Sequence, residues 1–311
     1  MARSSSESPL TVYAAIAANF VIAVAKFTAA TVTGSSAMFS EGIHSVIDTG
    51  NEALLLLGLK RSRKAPDELH PFGYGKEIYF WSLIVAILLF GIGGGLSVYE
   101  GWSHIRRPEE LQNPLWNYLV LGVALVAEGI SWVIAMRTLL NDRASKVGIF
   151  QAFRRSKDPS VFVVVGEDTA ALLGILVAAG GVFLSHRLRA PWIDGSASIV
   201  IGLILAGVAL MLVYESRALI VGETADPGLV RDVHAIAEND PAVLRARPPL
   251  TMQMSPDEVL INMDVEFHRH LSPGELISAI DRIETEIRER HPSVRRIFLE
   301  VDTVRASVGA A

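Results

Sequence analysis

The sequence predicts an α-helical membrane protein, with six membrane-crossing helices in residues 1–221 followed by a small cytoplasmic domain of mixed helix and strand in residues 222–311. Three observations predict it. Half of the 311 residues are apolar, only 20% are charged, and the mean hydropathy is positive, a balance that suits membrane spans joined to a soluble part. Six apolar stretches each reach the roughly 20 residues that a bilayer-spanning helix requires. After Val221 the long apolar runs give way to short alternating segments bounded by turn residues.

The first stretch, 10–33, is interrupted only by Asn19 and Lys26. The second, 39–59, follows a tight Thr33-Gly34-Ser35-Ser36 turn. The third, 78–99, carries no charge, and its GIGGG run predicts close helix packing. The fourth, 115–136, holds Glu128, and the fifth, 161–184, holds Glu167 and Asp168. The sixth, 193–214, has Asp194 at its mouth among small residues. Lys60, Arg61, Arg63, Lys64 and Lys76 flank the second connection, and Arg137, Arg143, Lys146, Arg154, Arg155 and Lys157 the fourth. The odd-numbered connections hold only Arg106, Arg107, Arg187 and Arg189. Basic residues concentrate on the cytoplasmic side of membrane proteins, so both termini are expected there. The start of the chain has no compact apolar core before a cleavage site, so no removable signal peptide is expected. A bacterial inner membrane fits these features.

The segment 227–237 reads as a short amphipathic helix. Residues 250–254 and 259–267 alternate as strands about the Ser255-Pro256-Asp257-Glu258 turn. Ser272, Pro273 and Glu275 open a helix with Leu276, Ile280, Ile283 and Ile287 on one face; His291-Pro292 ends it, and 297–301 is a last strand. The tail holds 16 acidic and 10 basic residues; taken from the whole-chain 33 and 28, this leaves 17 and 18 for the remainder. The acidity thus belongs to the tail, which argues against a nucleic-acid partner. With no cysteine, any metal site must use His, Asp, Glu, Asn or backbone oxygens.

In the second stretch Glu41, His44, Asp48 and Glu52 recur at spacings of three and four, placing them along one face of a helix. Ionisable groups within a membrane are costly and mark function by default. His44 and Asp48, one turn apart, make a half-site for a divalent metal; a structural polar pair, hydrogen-bonding across the turn or to a neighbouring helix, is the alternative. A second helix must supply the remaining ligands. Glu167 and Asp168 are candidates: adjacent carboxylates in a bilayer require a cation or protons nearby, although neutral acids hydrogen-bonding between helices have the same composition. Glu41 and Glu52 read either as groups at the two ends of a path or as packing contacts. Asn51 shares the His44 face, while Glu128, Asn19 and Lys26 read as internal polar pairs.

The run AMFSEGIHSVIDTGNEALLLLG, the loop HPFGYGKE, the six spans and the tail together resemble the cation diffusion facilitator, or zinc transporter, family. The resemblance covers nearly the whole chain. It implies a homodimer that exchanges a divalent cation for protons by alternating access, with a ferredoxin-like αββαβ tail. His44 and Asp48 match the family's second-helix metal motif. In the fifth helix Asp168 matches the family's acid, but Val164 stands where its His is expected, and DPSVFVVVGEDTAALLG is instead similar to the zinc-transporter-nine-like branch. Glu167 is the candidate replacement ligand. Exchanging imidazole for carboxylate hardens a site, bringing manganese or iron beside zinc. Asp67 and His70 match a loop site of some members, with Tyr74 in place of a second His. Asp264, Glu300 and Asp302 stand where some relatives place tail ligands; His268 and His270 are further candidates, and a solvated surface is the competing reading for each.

The expected function is therefore proton-coupled efflux of a divalent metal cation by alternating access, zinc first and manganese or iron next; no resident cofactor is expected beyond the transported ion. The bilayer, protons and a second copy of the chain are the expected partners. A membrane metal sensor or scaffold that does not transport is the rival reading. No H-E-x-x-H, nucleophile elbow, phosphate loop or dinucleotide fingerprint occurs, so no enzyme is expected.

Overall fold

A computed structural model describes residues 9–108, 113–141, 153 and 156–301, with side chains from Asn19 onward. Two compact units emerge. One comprises Met1–Arg61 and Glu77–Arg217, the other Ser62–Lys76 and Ala218–Ala311.

The first unit is helical. Its elements are α1 (Pro9–Thr33), α2 (Ser36–Ser62), α3 (Glu77–Arg106), α4 (Leu115–Asn141), α5 (Pro159–Leu188) and α6 (Trp192–Val221). Among the described residues, α3, α4, α5 and α6 are long and apolar enough to cross a membrane, and α1 adds the shorter apolar segment Asn19–Thr33. Six stretches were expected to span; among the described residues four helices are long and apolar enough to do so. The difference at α2 has a physical cause: Glu41, Asp48, Glu52, Lys60 and Arg61 interrupt its 27 residues. The helices also run past the apolar stretches that predict them. At 1.5 Å per residue the 30-residue α5 and α6 are about 45 Å long, enough to extend through the polar interface. Asp158 caps α5 by accepting from the Ser160 amide at 2.9 Å, and Pro159 occupies the first turn, where its missing N–H costs nothing.

The GIGGG run adopts a π-helical segment, Leu89–Gly94, within α3. Its glycines explain the close packing of α3 against α6. A Cβ on Gly202 would lie 2.8 Å from the Gly94 carbonyl oxygen and 2.7 Å from a Val98 methyl. Gly195 would meet the Gly101 carbonyl oxygen, also at 2.8 Å. Small residues here let two backbones touch, as membrane helix pairs require.

In the second unit, the helices α7 (Pro227–Glu238) and α8 (Pro273–Arg290) accompany β1 (Val243–Ala246), β2 (Leu250–Ser255), β3 (Glu258–Phe267) and β4 (Val294–Val301). The central strand β3 pairs antiparallel with β1 and β2 and parallel with β4. Its alternation buries Val259, Ile261, Met263, Val265 and Phe267 in one core with Val233 and Ile236 of α7 and Ile283 and Ile287 of α8. Each such side chain contributes about 1.5–3 kcal/mol on full burial. Ser272 and Glu275 close a reciprocal capping box at the start of α8.

The tail departs from the expected order at one place. Between the first helix and the hairpin, β1 forms where no strand was expected. The Arg247 amide still donates to the Asp264 carbonyl at 3.0 Å, then Pro248 and Pro249 offer no N–H and the ladder stops until β2. Thus β1 and β2 are successive partners of β3, separated by two prolines. The last strand also begins earlier than expected, at Val294 rather than 297.

The loop Ser62–Lys76 folds with this second unit. The Arg296 guanidinium stands 5.1 Å from the Phe72 ring centre, and Lys76 donates to the Ile220 carbonyl at 3.1 Å. A Cβ on Gly75 would lie 2.7 Å from the Met254 carbonyl oxygen. The HPFGYGK glycines therefore serve backbone contact and, at Gly73, a positive φ of 81°.

Candidate metal site within the helical unit

The helix α2 buries Glu41 and His44 and leaves Asp48 and Glu52 partly exposed. His44 is 1% exposed, and its Nε2 lies 3.3 Å from Asp48 Oδ2, one turn along the helix. Neither ring nitrogen of His44 and neither Asp48 Oδ1 nor Glu52 Oε2 has a hydrogen-bond partner. Buried polar atoms are normally satisfied, so the His44–Asp48 pair offers lone pairs to something else. On α5, Glu167 and Asp168 are also buried. Asn51 Nδ2 donates to Glu167 Oε1 at 2.6 Å, which ties the α2 face to α5. Asp168 turns elsewhere, accepting from Ser131 Oγ of α4 at 2.7 Å. The 100° offset of adjacent helical residues accounts for this division.

Of the four expected metal ligands, His44, Glu167 and Asp168 are buried in the helical unit and Asp48 is partly exposed, and the four fall into separate groups. Among the described residues no group of three or more His, Asp or Glu side chains is gathered closely enough to hold a metal. What is present is a His–Asp pair on α2 and two carboxylates on α5, each carboxylate fixed by a different neutral donor.

Other polar residues resolve into pairs. Asn19 donates to Glu52 Oε1 at 3.0 Å. Lys26, fully buried, lies 3.0 Å from Glu41 Oε2 and donates to Ser45 Oγ at 2.8 Å. Sequence reasoning anticipated internal pairs for Asn19 and Lys26 without finding their partners. It missed the role of Asp194. This carboxylate accepts from the Ser36 and Ala37 amides at 2.6 and 3.2 Å and from Ser35 Oγ at 2.8 Å, capping α2 from another helix. The signal was an acid beside small residues together with the uncapped-looking Thr33-Gly34-Ser35-Ser36 turn.

The loop candidates have a different character. Tyr74 donates to Asp67 Oδ2 at 2.6 Å, and Lys64 Nζ is 3.1 Å from that oxygen and 2.9 Å from the Tyr74 hydroxyl. His70 Nδ1 lies 3.3 Å from Asp67 Oδ1. The Tyr74 hydroxyl above all, then Lys64 and the His70 amide, holds the Asp67 carboxyl well below the usual carboxylate range. In the tail, Asp264 and Glu300 are register partners across β3 and β4, with Arg247 3.4 Å from Asp264. The His268 and His270 rings are 5.4 Å apart. Asp302 lies outside the described residues.

Fold and site define a polytopic helical membrane protein with paired ionisable groups on buried helix faces. The chain belongs to the cation efflux transmembrane domain family, which residues 12–221 match. It is 31% identical to the human mitochondrial proton-coupled zinc antiporter SLC30A9, over 93% of this chain and 58% of that protein. It is 33% identical to metal tolerance protein C4 of Arabidopsis thaliana, over 72% of this chain and 50% of that protein. The Bacillus subtilis manganese efflux system protein MneP is 26% identical over 71% of each. The chain spans a little over half the length of the mitochondrial relatives that it matches.

Proposed function

We propose that this protein moves a divalent cation across a membrane in exchange for protons, by alternating access, with zinc the first candidate and manganese or iron next. The observation that carries the reading is the His44–Asp48 pair on α2, whose His44 Nδ1 and Asp48 Oδ1 have no hydrogen-bond partner, beside an Asn51–Glu167 bridge to α5. His44, Asp48, Asp168 and Glu167 are the ligand set. Relatives named for zinc antiport and manganese efflux support the choice of cargo.

Exchange follows from ligand chemistry. Imidazole and carboxylate bind a metal only in their deprotonated forms, so cation and protons compete for the same lone pairs. Bound metal would draw Glu167 and Asp168 toward His44 and Asp48; arriving protons would release it. A small rotation or shift of α5 relative to α2 completes the site and then opens it again.

In the same reading α1 to α6 all cross the bilayer, residues 1–221 form the transport domain, and residues 222–311 form a ferredoxin-like cytoplasmic tail that joins two copies into a homodimer. The excess of basic residues around the second and fourth connections supports cytoplasmic termini, with a bacterial inner membrane as the setting. The ligand set is tested by metal-binding calorimetry and flux on Asp168→Ala: both should fall sharply, and unchanged flux would remove Asp168 from the set. Metal binding without flux in the unaltered protein would favour a sensor instead.

A further inference from the structure

Burial along α2 is denser toward its start, although Ile47, Asn51, Leu55 and Gly58 are also buried further along. From Ser35 to Ser45 every residue except Phe39 is buried, whereas Asp48, Thr49, Gly50 and Glu52 are all more open. Three polar contacts close the buried end. Asp194 holds Ser35, Ser36 and Ala37; Ser40 Oγ is 2.5 Å from Ser198 Oγ, which donates to the Ser97 carbonyl; and Lys26 binds Glu41 and Ser45. The third of these lies nearest the half-site and is the only one of the three with a cationic side chain.

The arrangement is polarised by charge. A cation reaching His44 from the Lys60–Arg61 end of α2 passes Glu52, Asn51 and Asp48. Continuing toward Ser36, it faces the Lys26 ammonium, whose side chain is 0% exposed. Stability alone gives little reason for this pair, because buried ion pairs are often no more stabilising than apolar residues of equal volume. Glu41 carries a further sign of use: its Oε1 is buried without a partner and faces Gly174 of α5, where a side chain would collide with it. One carboxylate oxygen is therefore held by Lys26, and the other is free between α2 and α5.

We propose that Lys26 and Glu41 form the gate that closes the site toward the Ser36 end of α2. The inference rests on the transport reading above. In the closed gate the ammonium occupies Glu41 and repels the cargo. When the pair parts, Glu41 becomes a carboxylate on the exit path, one turn beyond His44. Lys26 acts here as a positioning residue.

The absence of cysteine makes an accessibility test direct. Ser40→Cys and, separately, Ser198→Cys report on the buried end, and a membrane-impermeant methanethiosulfonate is applied to right-side-out and to inside-out vesicles. Labelling from the Ser36-end face should be slow in the otherwise unaltered chain. Lys26→Met/Glu41→Gln, which leaves no charge buried alone, should raise the rate about tenfold or more, as expected for a corresponding rise in the open population. Glu41→Gln alone, which preserves the shape of the pair, should raise it less. Zinc binding by each full-length variant checks that the helical unit is intact. Unchanged labelling in variants that bind zinc overturns the gate while leaving transport untouched. Faster labelling from the opposite face upholds the gate and overturns the orientation, and absent flux in the unaltered protein overturns transport separately.

Discussion

Asn51 and Glu167 are 116 positions apart in sequence, yet the amide of one donates to the carboxylate of the other at 2.6 Å inside the helical unit. This bond joins the helix that carries His44 and Asp48 to the helix that carries Glu167 and Asp168. It orients Glu167 while leaving its second oxygen outside the pair.

Asn51→Ala should therefore weaken zinc binding by about 10–100-fold, the usual cost of removing a group that orients a ligand. Titration calorimetry on the purified protein measures it. Unchanged affinity would mean that Asn51 does not position a ligand.

The missing histidine of α5 can be supplied. Val164 stands one turn before Asp168, so Val164→His places an imidazole on the same face. Because imidazole suits zinc better than manganese, the ratio of zinc to manganese affinity should rise by about tenfold. Competition between the two metals reads the ratio, and a fall would contradict the assignment of this face to the site.

The loop should behave as a knot held without metal. The Asp67 pKa is depressed, chiefly by Tyr74, so its contribution to stability is present above the unfolded carboxylate value of about 3.9 and is lost as pH falls through the lower folded value. Tyr74→Phe should raise the Asp67 pKa, read by carboxyl NMR titration. With Lys64 already beside Asp67, His70→Ala should leave the number of bound zinc ions unchanged.

In the tail, Ser272→Ala removes the hydroxyl that caps α8 and should cost about 1 kcal/mol, measured by denaturation of the full chain. Glu275 has its pKa lowered by the Ser272 hydroxyl and amide. Its contribution is likewise present above the unfolded carboxylate value and lost as acid passes the folded one, so the capping box should weaken under acid before the core does.

That His44 and Asp48 share one face of α2 was legible because they interrupt an apolar run at helical spacing, and local period is what a sequence records directly. The β2–β3 hairpin was legible for the same reason. Partner choice was not: that Lys26 meets Glu41, or that Asp194 caps α2 over a separation of 158 positions, depends on helix packing that no local pattern encodes. The split between β1 and β2 left a visible mark in Pro248-Pro249, but a four-residue strand is too short to announce itself by alternation. The apolar run 39–59 was counted as a span by its length, whereas Glu41, Asp48, Glu52, Lys60 and Arg61 keep α2 out of the four described helices that are long and apolar enough to cross a membrane.

The central claim is proton-driven movement of a divalent cation through His44 and Asp48. Purified protein in vesicles with an acidic interior and a trapped metal-sensitive dye tests it, with zinc, manganese, iron, cobalt and cadmium added outside in turn. The account predicts metal uptake that requires the pH gradient and is abolished by Asp48→Ala; no uptake of any of these metals by protein that still binds zinc would contradict it.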